Sequence, residues 1–126
     1  MNRKWTSPEG GIWLSIITKP KMDFSITTLF PIAASVALSK AISDVLGIKV
    51  ELKWPNDVLI KDKKVAGILV DASVTSNQID YLVLGIGINY DVPLKKIENS
   101  IKNTGNYSGA SSLMQHSINI RAVTLV

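Results

Sequence analysis

The chain has 126 residues, no cysteine, a net charge of +4 and 46% hydrophobic residues. That length suits one small domain with a single core, and the lack of cysteine excludes a disulfide framework and a thiolate metal site. The positive charge favours anionic partners such as nucleotides or an acidic protein surface, yet it is spread along the chain without interleaved aromatics, which argues against a nucleic-acid binder.

Residues 1–11 are polar and turn-rich, with Pro8 and the Gly10-Gly11 pair, and read as a loop. Met1-Asn2-Arg3-Lys4 leads into no apolar stretch, so no secretory signal is read there. Ile12 to Thr18 alternates as a strand, ended by Lys19-Pro20-Lys21. A helix follows from about Thr28 to Leu46, with Ser25, Thr27 and Thr28 as candidate caps and Gly47 just past its end. Leu29, Ala33, Val36, Ala37, Ala41 and Val45 form its expected buried stripe, broadened by Ile32, Leu38, Ile42 and Leu46. Pro31, Ser35, Ser39, Lys40, Ser43 and Asp44 interrupt the run and are read against a membrane span.

Ile48 to Trp54 reads as the next strand, followed by a hairpin of Val58-Leu59-Ile60 and Val65 to Val70 around Asp62. Ala72 to Asn77 reads as a turn, and Ile79 to Asn89 as a strand. Gly85 and Gly87 weaken that strand, so they mark close approach of a ligand, or else a bulge or tight packing. Pro93 opens a short helix within Asp91 to Lys102, Asn103 to Ser112 is loop, and a further element starts near Ser117. The order of elements argues for an α+β fold: a mixed, largely antiparallel sheet packed by helices.

Lys53-Trp54-Pro55-Asn56-Asp57 sets a cation, a ring, a rigid proline, an amide and a carboxylate side by side at a strand end. Taken alone, Asn56-Asp57 reads equally as a turn pair and Lys61, Lys63 and Lys64 as a solvated hairpin tip. Trp54 reads as core support. The single His116 has no cysteine or second histidine with which to form a metal site, and no Walker-type loop is present.

Three blocks in order carry a resemblance. They are Arg3-Lys4-Trp5-Thr6-Ser7-Pro8-Glu9-Gly10-Gly11-Ile12-Trp13-Leu14-Ser15, then Lys53-Trp54-Pro55-Asn56-Asp57 with Lys64-Val65-Ala66-Gly67-Ile68-Leu69-Val70, then Leu84-Gly85-Ile86-Gly87-Ile88-Asn89. Together, from Arg3 to about Leu113, they resemble the biotin protein ligases, also called biotin–acetyl-CoA-carboxylase ligases. The resemblance implies a sheet like that of class II aminoacyl-tRNA synthetase catalytic domains. It also implies a cytoplasmic ligase that uses ATP, biotin and Mg²⁺ to form biotinyl-5′-AMP and pass biotin to a lysine of a biotin carboxyl carrier domain.

By that resemblance Lys64 is the essential phosphate-binding lysine and Arg3 a second phosphate partner. Asp57 either assists Mg²⁺ or orients the acceptor amine. Trp5 lies beside the adenylate, Asn56 and Asn89 read adenine or phosphate, and Gly67, Leu69 and Gly85 line the biotin pocket. Lipoate–protein ligase chemistry and a non-catalytic biotin- or nucleotide-binding remnant are the alternatives. Relative to the family pattern, residues 1–126 are expected to be a partial catalytic domain without the upstream strand, most of the adenylate loop and a C-terminal domain. The isolated chain is then expected to make adenylate poorly and to leave a sheet edge open to self-association.

Overall fold

A computed structural model describes residues 6–101 and 109–117. Five strands form one open sheet: β1 (Ile12–Thr18), β2 (Glu51–Lys53), β3 (Asp57–Ile60), β4 (Lys63–Thr75) and β5 (Gln78–Ile88). Their order is β1-β5-β4-β3-β2, and every pairing among them is antiparallel. Two helices accompany the sheet, α1 (Leu29–Leu46) and α2 (Leu94–Ile101). The α+β expectation therefore holds.

Both long hairpins turn on two residues of positive φ: Lys61 and Asp62 at 50° and 60°, Ser76 and Asn77 at 49° and 65°. This left-handed pair matches the right-handed twist of the flanking strands. The second turn sits later than the pattern of polar residues suggests. Ala72 to Thr75 continues β4, because its backbone stays paired to β5 as far as Thr75↔Gln78. β2 is shorter than expected, with its strand confined to Glu51–Lys53.

Helix α1 starts at Thr28, whose side chain makes no capping bond; the polar cap lies earlier, where Asp23 accepts from the Ser25 N–H at 2.8 Å. Pro31 falls in the first turn, where an N–H has no helical acceptor. Gly47 closes the helix at φ 65°, donating to the Ser43 carbonyl at 2.8 Å.

The expected buried stripe of α1 is wrong in phase. Leu29, Val36 and Val45 are 58%, 51% and 73% exposed, and Ala33, Ala37 and Ala41 are exposed with them. The face that packs is the one expected only to broaden the stripe, with Leu38, Ile42 and Leu46, together with Ser35. Apolar residues surround this helix, so periodicity could not choose a face; the choice is made by Val58, Ile60, Val65 and Ala66, which join Ile42 and Leu113 in the core. Each large side chain buried there contributes about 1.5–3 kcal/mol.

The stretch Phe24–Leu46 is also long and apolar enough to cross a membrane by length and composition. Its polar interruptions do not exclude a span as firmly as the sequence reading holds. What ties α1 to the sheet is the Leu38–Ile42–Leu46 face.

If this face carries the packing, Ile42→Ala should cost about 2–5 kcal/mol. Val45→Ala should stay within about 0.5 kcal/mol. Urea unfolding of the two variants checks the helix phase.

Candidate active site

Directly paired residues of an antiparallel sheet share a face, as do residues two apart. Asp57 pairs with Gly67, Gly67 with Gly87, and Gly87 with Trp13. One step along, Leu69 pairs with Gly85 and Gly85 with Ser15. Asp57, Gly67, Leu69, Gly85 and Gly87 therefore share one face. Val58, Ala66, Ile88 and Ile12 share the other, which α1 covers at its β3–β4 end.

Register also shapes the position of Lys64. Val58 pairs with Ala66 but Leu59 with Lys64, so Val65 is an extra residue in the ladder. On the open face the Lys64 Nζ meets the Asp57 Oδ1 at 2.6 Å. Asp57 is nearly buried, and the Lys64 side chain is 29% exposed. A charge-assisted bond this short, partly withdrawn from water, holds a lysine in one place better than a surface pair would.

Gly67 makes room for that pair. A Cβ on Gly67 would lie 3.1 Å from both Cε and Nζ of Lys64 and 3.4 Å from the Asp57 carboxylate. Gly85 differs. A Cβ there meets nothing closer than the Leu69 carbonyl at 3.7 Å, an ordinary contact. Packing among the described residues does not demand glycine at that point, so they leave space above β5 beside Leu69, which is 57% exposed.

Asn56 braces the strand end. Its Nδ2 donates to the Ile68 carbonyl at 2.6 Å, and the Ile68 N–H donates back to the Asn56 carbonyl at 3.0 Å. Trp54 does not support the core: it is 75% exposed, because the turn before Asp57 carries its ring outward. Lys61 and Lys63 are exposed, as read from the sequence. The Gly10-Gly11 turn is fixed by neighbours. A Cβ on Gly10 would collide with the Asp91 carbonyl, and one on Gly11 with the Trp13 indole. The Trp13 Nε1 donates to the Pro8 carbonyl at 3.1 Å. The first block thus meets the end of the third.

Asn89 sits at that junction. Its N–H donates to the Val65 carbonyl at 2.8 Å, and its Nδ2 reaches the Ser111 carbonyl at 3.4 Å. Arg3 and Trp5 lie outside the described residues. The structure thus brings together Asp57, Lys64 and Gly67 at the strand end, with Leu69 and Gly85 farther along the same face.

Sequence reasoning missed the Gly109–His116 segment. Ser111 is buried, and its Oγ lies 2.7 Å from the His116 Nε2. One signal was available: Ser112-x-x-Gln115 is a capping box, and both of its bonds form. Partial burial pushes the His116 imidazole below its ordinary 6.5, and the Lys61 and Lys63 ammonium groups push it further.

The Biotin/lipoate A/B protein ligase family matches residues 1–89, and the chain belongs to it. The chain is 35% identical over 125 residues to the Bifunctional ligase/repressor BirA of Bacillus subtilis, covering 92% of this chain and 38% of that protein. It is 32% identical over 89 residues to a Biotin--[acetyl-CoA-carboxylase] ligase of Paracoccus denitrificans, covering 69% of this chain and 37% of that relative. The chain thus spans well under half the length of these relatives. Among solved structures, a biotin protein ligase from Aquifex aeolicus in complex with biotin and ATP superposes with a TM-score of 0.68 at 32% identity, over 91% of this chain and 44% of that one.

Two outcomes are expected. Gly67→Ala should shift the Lys64 side-chain NMR resonances, since the ammonium must move by a few tenths of an ångström, whereas Gly85→Ala should leave them in place. A histidine whose folded pKa is lowered favours the neutral form. Its contribution to stability is complete above about pH 6.5 and is lost as pH falls from there through the folded value. The thermal midpoint should therefore drop on acidification, and less steeply in His116→Gln.

Proposed function

We propose that this chain carries the adenylation face of a cytoplasmic biotin–protein ligase. The observation that carries the reading is the Lys64–Asp57 pair set over Gly67, at one end of an open, glycine-bearing sheet face. In the first step a biotin carboxylate oxygen attacks the α-phosphate of ATP, forming biotinyl-5′-AMP and releasing pyrophosphate. In the second a carrier-domain lysine attacks the mixed anhydride, forming the amide and releasing AMP. Both steps concentrate negative charge on phosphate oxygens.

A cation held beforehand at that position stabilises such charge without reorganising. Lys64 is so held, by Asp57 through its side chain and by strand pairing through its backbone. Its bond to Asp57 can weaken as a phosphate approaches, leaving the carboxylate to orient the incoming amine. Leu69 and the open surface at Gly85 offer an apolar, flat bed for the fused rings of biotin, bordered at Gly67 by the Lys64–Asp57 pair. Asn56 and Asn89 lie at the two strand ends that flank it. Arg3 is assigned to the phosphate, and Trp5 to a place beside the adenylate, by resemblance.

Among the described residues no group of three or more histidines, aspartates and glutamates could hold a metal ion. Mg²⁺ bound largely by nucleotide phosphates needs only one or two protein carboxylates. Asp57 fits that role, and the ion would supply further neutralisation of phosphate charge. The partner is a biotin carboxyl carrier domain, and a relative and a solved structure named as biotin ligases favour this reading over lipoate.

The test is formation of labelled adenylate from α-labelled ATP and Mg²⁺, with biotin or lipoate. Biotin-dependent product is expected at a low rate from this chain, cut by at least about tenfold in Lys64→Ala and not supported by lipoate. Absence of biotin-dependent product, or a Lys64→Ala variant as active as the parent, would contradict the assignment.

A further inference from the structure

Lys64 is held from behind as well as in front. Its N–H donates to the Gly109 carbonyl at 3.1 Å, and its carbonyl accepts from the Ser111 N–H at 3.0 Å. Gly109–Ser111 thereby lies parallel to β4 at this one residue, through the bridge Lys64↔Ala110. The neighbouring bulge leaves the ladder irregular here. Main-chain bonds to Gly109–Ser111 therefore set where the Lys64 side chain starts.

What fixes that segment is a short chain of bonds. The Leu113 and Met114 N–H groups donate to the Asn89 and Tyr90 carbonyls at 2.8 and 3.0 Å. Ser112 and Gln115 close a capping box. The Ser111 hydroxyl, with its residue 1% exposed, meets the His116 Nε2 at 2.7 Å. The other bonds of the turn involve main-chain groups or cap its start. Only the Ser111–His116 bond, among those described, joins the stretch beside Lys64 directly to the far end of the turn by two side chains.

We propose that His116 is a positioning residue, which holds Ser111 and through it the backbone of Lys64 and the amide of Asn89. Its importance for catalysis rests on the functional reading above; the clamp itself does not. A glutamine at position 116 can offer an amide group to the Ser111 hydroxyl at similar reach, whereas alanine cannot. Asn89 is coupled to the same turn, since its Nδ2 points to the Ser111 carbonyl.

Amide hydrogen exchange on the full chain tests the clamp without any ligand. In His116→Ala, the Lys64 and Ser111 amides should exchange faster by on the order of tenfold, with the Leu84 amide in the β4–β5 hairpin unchanged. His116→Gln should restore protection, and Ser111→Ala should reproduce the loss. Wild-type protection of Lys64 in either alanine variant would overturn the proposal, as would a uniform acceleration that includes Leu84.

Adenylate formation measured on the same samples gives the catalytic side. The expected pattern is a lower kcat in His116→Ala, with recovery in His116→Gln. An unchanged kcat alongside lost protection would overturn the catalytic role. If the parent chain forms no adenylate, the functional reading fails, and exchange still decides the clamp.

Discussion

The bond between Lys64 and Asp57 makes demands on every element around it. A lysine on an exposed hairpin tip would sample many rotamers, and its ion pairs would contribute little. Here the carboxylate comes from the nearly buried first residue of β3, and the ammonium lies across Gly67 in the open strip that a side chain would fill. The register of β3 on β4 sets the two groups on one face, and the slip at Val58/Leu59 adjusts where Lys64 begins. Asn56 ties the strand end to Ile68, so the carboxylate cannot drift away from its partner.

The sheet divides its labour between two faces. One carries Val58 and Ala66 against Leu38, Ile42 and Leu46 of α1, and supplies the cohesion. The other carries glycines and a half-exposed leucine, and leaves room. Glycine in a strand costs stability through chain entropy and lost packing. At Gly67 the return is space for a charged pair within the chain. At Gly85 nothing among the described residues takes up the space, which is what a surface built for a ligand would show. The membership of the chain in the Biotin/lipoate A/B protein ligase family gives that surface a chemical meaning.

Much of this was legible in residue order. Strand β1, the length of α1 and the closing role of Gly47 follow from alternation, apolar periodicity and glycine's tolerance of positive φ. The second and third motif blocks pointed to Asp57, Lys64, Gly67, Leu69 and Gly85, which the fold sets on one face, whereas Arg3 and Trp5 of the first lie outside the described residues. The phase of α1 was not legible, because a helix apolar all round carries no internal mark of which side faces the sheet. Nor was the length of β4: Ser73 and Thr75 look like turn residues until Asp80 across the hairpin accepts hydrogen bonds from both hydroxyls. Trp54 was misread as core because aromatic rings are usually buried, whereas the turn before Asp57 carries this one outward. The Ser111–His116 contact joins residues in a polar stretch whose meaning depends on Lys64, far away in sequence.

Under the proposed function the glycine-bearing face, and not the surface around α1, receives a biotinyl adenylate. The most direct measurement is an NMR titration of the full chain with a hydrolysis-resistant biotinyl-adenylate analogue, read at backbone amides. Saturable shifts are expected to centre on Lys64, Gly67, Leu69 and Gly85, with Lys40 and Val45 on the outer side of α1 unmoved. Shifts centred on α1, or a glycine face that stays silent at saturating analogue, would contradict it.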